Sequence, residues 1–236
     1  MSTYACSDLH GRLDFYDEIK KMLKPEDIVF FLGDAGDRGA RSWATIRAVL
    51  RDPQFIYIKG NHEDMLINCL EEQAEYGHAD YYSLHLLTIN GGAQTFEDAI
   101  ADPEWEGVLR QLKRLPTQAE YENSAKWRVL LTHAGFTPWV RDNNQIIWPC
   151  EREAIWSRDH FYDEWPEDKC CENVVIVHGH TPTPYLAEDL GLKEIEPGAV
   201  WYAGGHKCDI DCGAVFSDYC VLLNLDTWDE NIFYSN

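Results

Sequence analysis

Ile28-Val29-Phe30-Phe31-Leu32-Gly33-Asp34-Ala35-Gly36-Asp37-Arg38-Gly39 sets an apolar run against a turn rich in glycine and aspartate. A short apolar run bounded by glycine reads as a buried strand. The glycines permit tight turns and close approach of backbone to an ion. The same pattern recurs on both sides. Residues 3–6 lead into Asp8-Leu9-His10-Gly11, and residues 55–58 into Gly60-Asn61-His62-Glu63. Residues 128–132 lead into His133, and residues 174–177 into His178-Gly179-His180-Thr181. Between the first strands, residues 13–23, 42–50 and 63–73 carry apolar side chains at helical spacing, and Pro25 and Pro53 stop the first two helices. This alternation defines an α/β fold. In open α/β sheets, ligands gather at the carboxyl ends of strands. Five strand ends here bring Asp, His or Asn to one rim.

Further out, residues 80–115 read as more helix, ending at Pro116. The last part is strand-rich, with predicted strands at 174–177, 214–216, 221–225 and 232–234. Residues 138–171 are irregular and rich in Trp, Pro and charge, which marks a long excursion on the substrate side. No repeat, low-complexity stretch or linker interrupts the chain, and its 236 residues fit a single domain, 1–236, built on two packed sheets.

Composition narrows the function classes. Hydrophobic residues make up 45% of the chain, enough for a large core. Acidic residues number 41 against 20 basic, for a net charge of -21. Such a surface repels nucleic acid and anionic membranes, so neither is expected as a partner. A phosphate substrate then requires local cations, metal or Arg, to reverse the field. No apolar run is long enough to span a bilayer, and the first ten residues lack the features of a signal peptide, so a cytoplasmic location is the expectation. The 8 cysteines contain no Cys-x-x-Cys pair. A zinc site among Cys150, Cys170, Cys171, Cys208 and Cys212 was weighed against reduced, packed or exposed thiols, and the thiol reading is preferred.

The mixture of carboxylate, imidazole and amide at the strand ends suits Mn, Fe or Zn better than Ca or Mg alone. Asp8 and His10 stand two apart, so an extended backbone points both the same way. Read in order, Ser-Asp-Leu-His-Gly (7–11), Gly-Asp-Ala-Gly-Asp-Arg-Gly (33–39), Gly-Asn-His-Glu (60–63), Thr-His-Ala-Gly (132–135) and His-Gly-His-Thr-Pro (178–182) resemble the phosphoprotein phosphatase family of calcineurin-like metallophosphoesterases. The likeness to its small phage and bacterial serine/threonine phosphatases extends to Asn90-Gly91-Gly92, to residues 155–158 and to residues 210–216.

That resemblance implies a sandwich of two central mixed β-sheets flanked by helices, with two divalent metal ions, manganese first and iron or zinc as alternatives. Asp8 and His10 would hold one metal, Asp34 would bridge, and Asn61, His133 and His180 would hold the other. Metal-activated hydroxide would attack phosphorus in line. His62, oriented by Asp37, would protonate the leaving alkoxide. Arg38 and Arg158 would grip the phosphate, with Asn61 and Lys59 beside it; Lys59 stands where relatives often carry Arg and lacks the fork geometry. His178 is expected behind the ligands rather than among them.

The expected function is a metal-dependent phosphomonoesterase of the serine/threonine type, with possible dual specificity toward tyrosine, acting on phosphoproteins, phosphopeptides or small phosphate esters. Its alternative is symmetrical diadenosine tetraphosphate hydrolysis; such enzymes typically carry Ala at the position of Asp37 and Asp at that of Glu63. A nucleic-acid phosphodiesterase and a catalytically dead binding module rank lower.

Overall fold

The computed structural model describes residues 1–141, 145–192 and 196–235. Strand β1 (Thr3–Cys6), helix α1 (Leu13–Met22), β2 (Ile28–Phe31), α2 (Ser42–Arg51) and β3 (Phe55–Tyr57) form the first alternating run. Four helices follow: α3 (Asn61–Tyr76), α4 (Tyr81–Ile89), α5 (Ala93–Ala101) and α6 (Trp105–Leu112). Then come β4 (Gln118–Glu122), β5 (Arg128–Thr132), the short pair β6 (Trp139–Val140) and β7 (Ile146–Ile147), and α7 (Glu151–Trp156). The chain continues through β8 (Val174–His178), α8 (Thr183–Asp189), β9 (Val200–Tyr202), β10 (Lys207–Asp209), β11 (Tyr219–Asn224) and β12 (Glu230–Tyr234).

Two five-stranded mixed sheets result, ordered β12-β11-β1-β2-β3 and β4-β5-β8-β10-β9. Their facing side chains form one apolar layer: Ala5, Phe30, Leu32 and Ile58 from the first sheet and its strand ends meet Val129, Leu131, Val175 and Val177 from the second. A second layer lies under the helices, where Phe15, Ile19, Trp43, Ile46, Leu66 and Leu70 pack on Cys6, Val29 and Phe31. This is the expected sandwich of two sheets flanked by helices. Each inner strand is therefore buried on both faces, which explains why β2 reads as an unbroken apolar run. Within each sheet the central strands are parallel, β1 with β2 and β3, and β5 with β8 and β10, so their carboxyl ends share a rim.

Two expectations need correction. Residues 214–216 are not a strand: Phe216 and Ser217 both donate their amides to the Gly213 carbonyl, closing a turn that Gly213 starts with φ of 66°. The region 80–115 is helical as expected, in three helices broken at Gly91, whose φ is 86°, and near Pro103. The excursion 138–171 is not wholly irregular, since it holds β6, β7 and α7; its residues 142–144 lie outside those described. All 8 cysteines are free, and none joins a cluster of metal-ligand type among the described residues. No helix among them is long and apolar enough to cross a membrane.

Candidate metal centre

The loops after β1, β2, β3, β5 and β8 bring Asp8, His10, Asp34, Asn61, His62, His133 and His180 to one place, all buried. Their backbones are unusual. Asp8, His10, Asp34, Asp37, Arg38 and His180 all have φ between 43° and 74°, in the left-handed region that non-glycine residues avoid. Strained conformations persist where the surroundings over-determine them, and they concentrate at functional sites. Neighbouring glycines make room: a Cβ on Gly60 would lie 2.1 Å from Asp34 Oδ1, and one on Gly179 would lie 2.2 Å from Asp8 Oδ2.

Asp34 is central. Its Oδ1 accepts the His62 amide at 3.0 Å, at the start of α3. Its Oδ2 stands 3.4 Å from His133 Nε2, 3.7 Å from His10 Nε2 and 3.8 Å from His62 Nε2. Two ligand-type groups share it, His10–Asp34–His62 and Asp34–His133–His180, each with its donor atoms within 4.8 Å of one another. Asp8 accepts the His180 amide on Oδ2 at 3.1 Å and a hydrogen bond from Ser7 Oγ.

Hydrogen bonds at the far side of each ring fix which nitrogen faces inward. His10 donates from Nδ1 to the Gly36 carbonyl at 2.8 Å, and His133 from Nδ1 to the Leu32 carbonyl at 2.7 Å. Each then turns Nε2 to the centre. His133 Nε2 faces Asn61 Oδ1 at 2.9 Å and Asp34 Oδ2 at 3.4 Å. His180 Nδ1 also lies 3.0 Å from Asn61 Oδ1. Two buried polar atoms here, Asp8 Oδ1 and His180 Nε2, lack any hydrogen-bond partner. Orphaned acceptors beside a convergent set of carboxylate, imidazole and amide groups are what a divalent cation satisfies, so the residues fit the expected metals.

The charges say the same. Burial opposes an imidazolium at His133, yet the Asp34 and Asp8 carboxylates lift its pKa to about 10, which marks a place that favours positive charge. Asp34 is held well below the ordinary carboxylate range: burial pushes it up, but His133 and His62 outweigh that. Burial, and then His62, push His10 well below its usual value, keeping it neutral.

His62 and Asp37 form the expected pair, with Nδ1 donating to Oδ2 at 2.6 Å. In the structure the Arg38 guanidinium donates to His10 Nε2 at 2.6 Å and His62 Nε2 at 2.8 Å. Arg158 is fixed by bonds to Thr181 Oγ1 at 3.0 Å and the His180 carbonyl at 3.4 Å. Both arginines line a cleft of about 470 Å³ that opens on His10 and His180. Lys59 does not line it; that residue is half-buried, and its ammonium acts on Asp64.

Glu63, in the first turn of α3, does more than cap the helix. Its carboxylate accepts the amides of Gly60 (2.9 Å), Asp34 (2.8 Å) and Ala35 (3.0 Å) and the Tyr57 hydroxyl (2.7 Å), tying α3 to the loop after β2. His178 lies behind the ligands, as expected, with Nε2 bonded to Tyr202 Oη at 2.7 Å. Tyr202, His160 and Lys207 continue that buried network: Lys207 Nζ donates to the His160 carbonyl (2.6 Å) and Thr137 Oγ1 (2.7 Å), while His160 Nε2 bonds the Ala134 carbonyl (2.7 Å).

Residues 1–209 match the calcineurin-like phosphoesterase family, and the chain belongs to it. It is 28% identical over 205 residues to the symmetrical bis(5'-nucleosyl)-tetraphosphatase of Actinobacillus pleuropneumoniae, a match that covers 82% of this chain and 63% of that protein. It is 25% identical to the mouse serine/threonine-protein phosphatase with EF-hands 2, over 89% of this chain but 27% of that protein. Its fold is similar to that of a protein serine/threonine phosphatase from Saccharomyces cerevisiae, with a TM-score of 0.56 at 13% identity, covering 100% of this chain and 80% of the other. The family hydrolyses phosphoesters and typically binds two divalent metals, for which this chain has the candidate ligand groups.

Proposed function

We propose that this phosphoesterase uses Asp8, His10, Asp34, Asn61, His133 and His180 to hold two divalent metal ions, with Asp34 between them, and that its first substrate class is a dinucleoside polyphosphate. When bound, such a metal pair supplies Lewis-acid charge to the phosphoryl oxygens and activates water as the nucleophile. The substrate class is supported by the curated relatives from Actinobacillus, Dechloromonas and Legionella, all named symmetrical bis(5'-nucleosyl)-tetraphosphatases. This reverses the order of preference taken from the motifs. Those relatives are longer than the stretch matched, so their activity reaches this chain only as a proposal. Arg38 and Arg158 place positive charge at one end of the cleft, where a strongly acidic protein needs it to hold a polyphosphate.

A second reading rests on one observation. His62 donates from Nδ1 to Asp37 at 2.6 Å and turns Nε2 toward the cluster, where a protonated ring would serve as a general acid. A phosphoanhydride expels a stable diphosphate and needs little protonation; a serine or threonine phosphate expels an alkoxide and needs a great deal. The pair therefore favours a phosphomonoesterase acting on phosphoprotein or phosphopeptide. Turnover of diadenosine tetraphosphate compared with a phosphoserine peptide, both with Mn, decides between them. Release of two ADP molecules at the higher kcat/KM supports the first reading. Preference for the peptide replaces it with the second.

A further inference from the structure

The cleft that begins at the two arginines ends against Tyr185 on α8 and Phe216 in the turn after β10. Both rings are more than half exposed, an unusual state for two large apolar side chains lying together. Their centroids are 5.9 Å apart with planes at 39°, too close to admit a third ring between them but open to stacking on their outer faces.

The ledge is held in place by short bonds. The Thr183 amide, at the start of α8, donates to the Asp211 carbonyl at 2.7 Å, joining the two segments. Asp211 Oδ1 accepts the Gly213 amide at 2.8 Å, and Arg12 Nη1 donates to the Ala214 carbonyl at 2.7 Å. A Cβ on Gly213 would lie 2.3 Å from Phe216 Cζ, so the ring rests against bare backbone. Thr181 and Pro182 line the wall between His180 and Tyr185, and the exposed carboxylate of Asp189 borders the same cleft.

We infer that the Tyr185–Phe216 ledge is a base-binding subsite, which stacks the nucleobase of a nucleotide whose phosphate lies at Arg38 and Arg158. An aromatic ring bonded directly to phosphate would stay at the arginine end. A nucleoside 5'-phosphate carries a ribose between its phosphate and its base, which spans the Thr181–Pro182 wall. Asp189 offers an acceptor to an exocyclic amino group of the base. This inference rests on the proposed phosphoesterase reading and names what lies beyond the phosphate.

The test is calorimetric titration of the Mn-loaded protein in a His62→Asn background, where hydrolysis of the ligands is slowed, with AMP, ribose 5-phosphate and phenyl phosphate. AMP is expected to bind about tenfold more tightly than ribose 5-phosphate, the contribution of one stacked base. The Tyr185→Ser/Phe216→Ser double variant should bring that ratio close to one, while Tyr185→Phe retains it. Equal binding of AMP and ribose 5-phosphate, an unchanged ratio in the double variant, or tighter binding of phenyl phosphate than AMP overturns the subsite. Binding needs no turnover. A chain that prefers AMP in this way yet leaves diadenosine tetraphosphate intact therefore loses the proposed function and keeps the subsite.

Discussion

On the proposed reading His62 and Asp37 act on the leaving group, and that makes them separable from the metal ligands. Asp34 Oδ2 faces three imidazoles, so Asp34→Asn removes the charge that would hold two cations together. We expect that variant to lose metal binding and turnover together; retained activity would refute the bridging assignment. His62→Asn should keep the metals, because Asp34 and the remaining ligands are intact. Its effect on rate should depend on the leaving group. Hydrolysis of an alkyl phosphate should fall by about 10²–10⁴-fold, the usual worth of a general acid, and that of a phosphoanhydride by much less. Parallel kcat measurements on a phosphoserine peptide and diadenosine tetraphosphate check this, and equal losses would show that His62 does not protonate the leaving group.

At the scale of elements, the site depends on how α3 is fastened to the loop after β2. Glu63 is buried and accepts three backbone amides and a tyrosine hydroxyl. Glu63→Ala would leave those donors without partners, costing about 3 kcal/mol of stability, measurable as a lower urea midpoint. Glu63→Gln keeps an acceptor oxygen and should cost less; equal losses would mean that the carboxylate is not the tie. The strand-end grammar was legible because β1, β2, β3, β5 and β8 are short, apolar and followed at once by their polar residues. Gly213 misled for a physical reason: Ala214, Val215 and Phe216 have strand character, but a glycine with positive φ bends them into a turn. The break at Asn90-Gly91-Gly92 was visible only as a likeness, although it packs against residues of the candidate site. Gly91 accepts the Arg38 amide at 2.9 Å, and a Cβ on Gly92 would lie 2.7 Å from Asp37 Oδ2. The Lys207–His160–Tyr202–His178 network left no local sign, because its members come from separate strands and loops that only the fold joins.

Across the whole molecule, two consequences follow from charge. The net charge of -21 predicts that single-stranded oligonucleotides do not bind even at low salt, testable by fluorescence anisotropy; saturable, salt-sensitive binding would contradict it. Buried histidines set the acid limit of stability. Burial, then His178 and Lys207, hold the His160 pKa well below its usual value, so the folded chain keeps the ring neutral. As pH falls through about 6.5, the unfolded chain binds a proton that the folded chain refuses. The stability present above that pH therefore declines, with a slope approaching about 1.4 kcal/mol per pH unit for this group. Urea unfolding at pH 7.5 and 5.5 should show a larger loss for the wild type than for His160→Gln; identical losses would contradict this. The measurement that bears most directly on the central claim is metal dependence. Chelator-treated protein should be inactive toward both diadenosine tetraphosphate and para-nitrophenyl phosphate, and should regain turnover of at least one as two equivalents of Mn bind per chain. Full activity after chelation, or binding of two Mn ions without any phosphoester hydrolysis, would contradict the account.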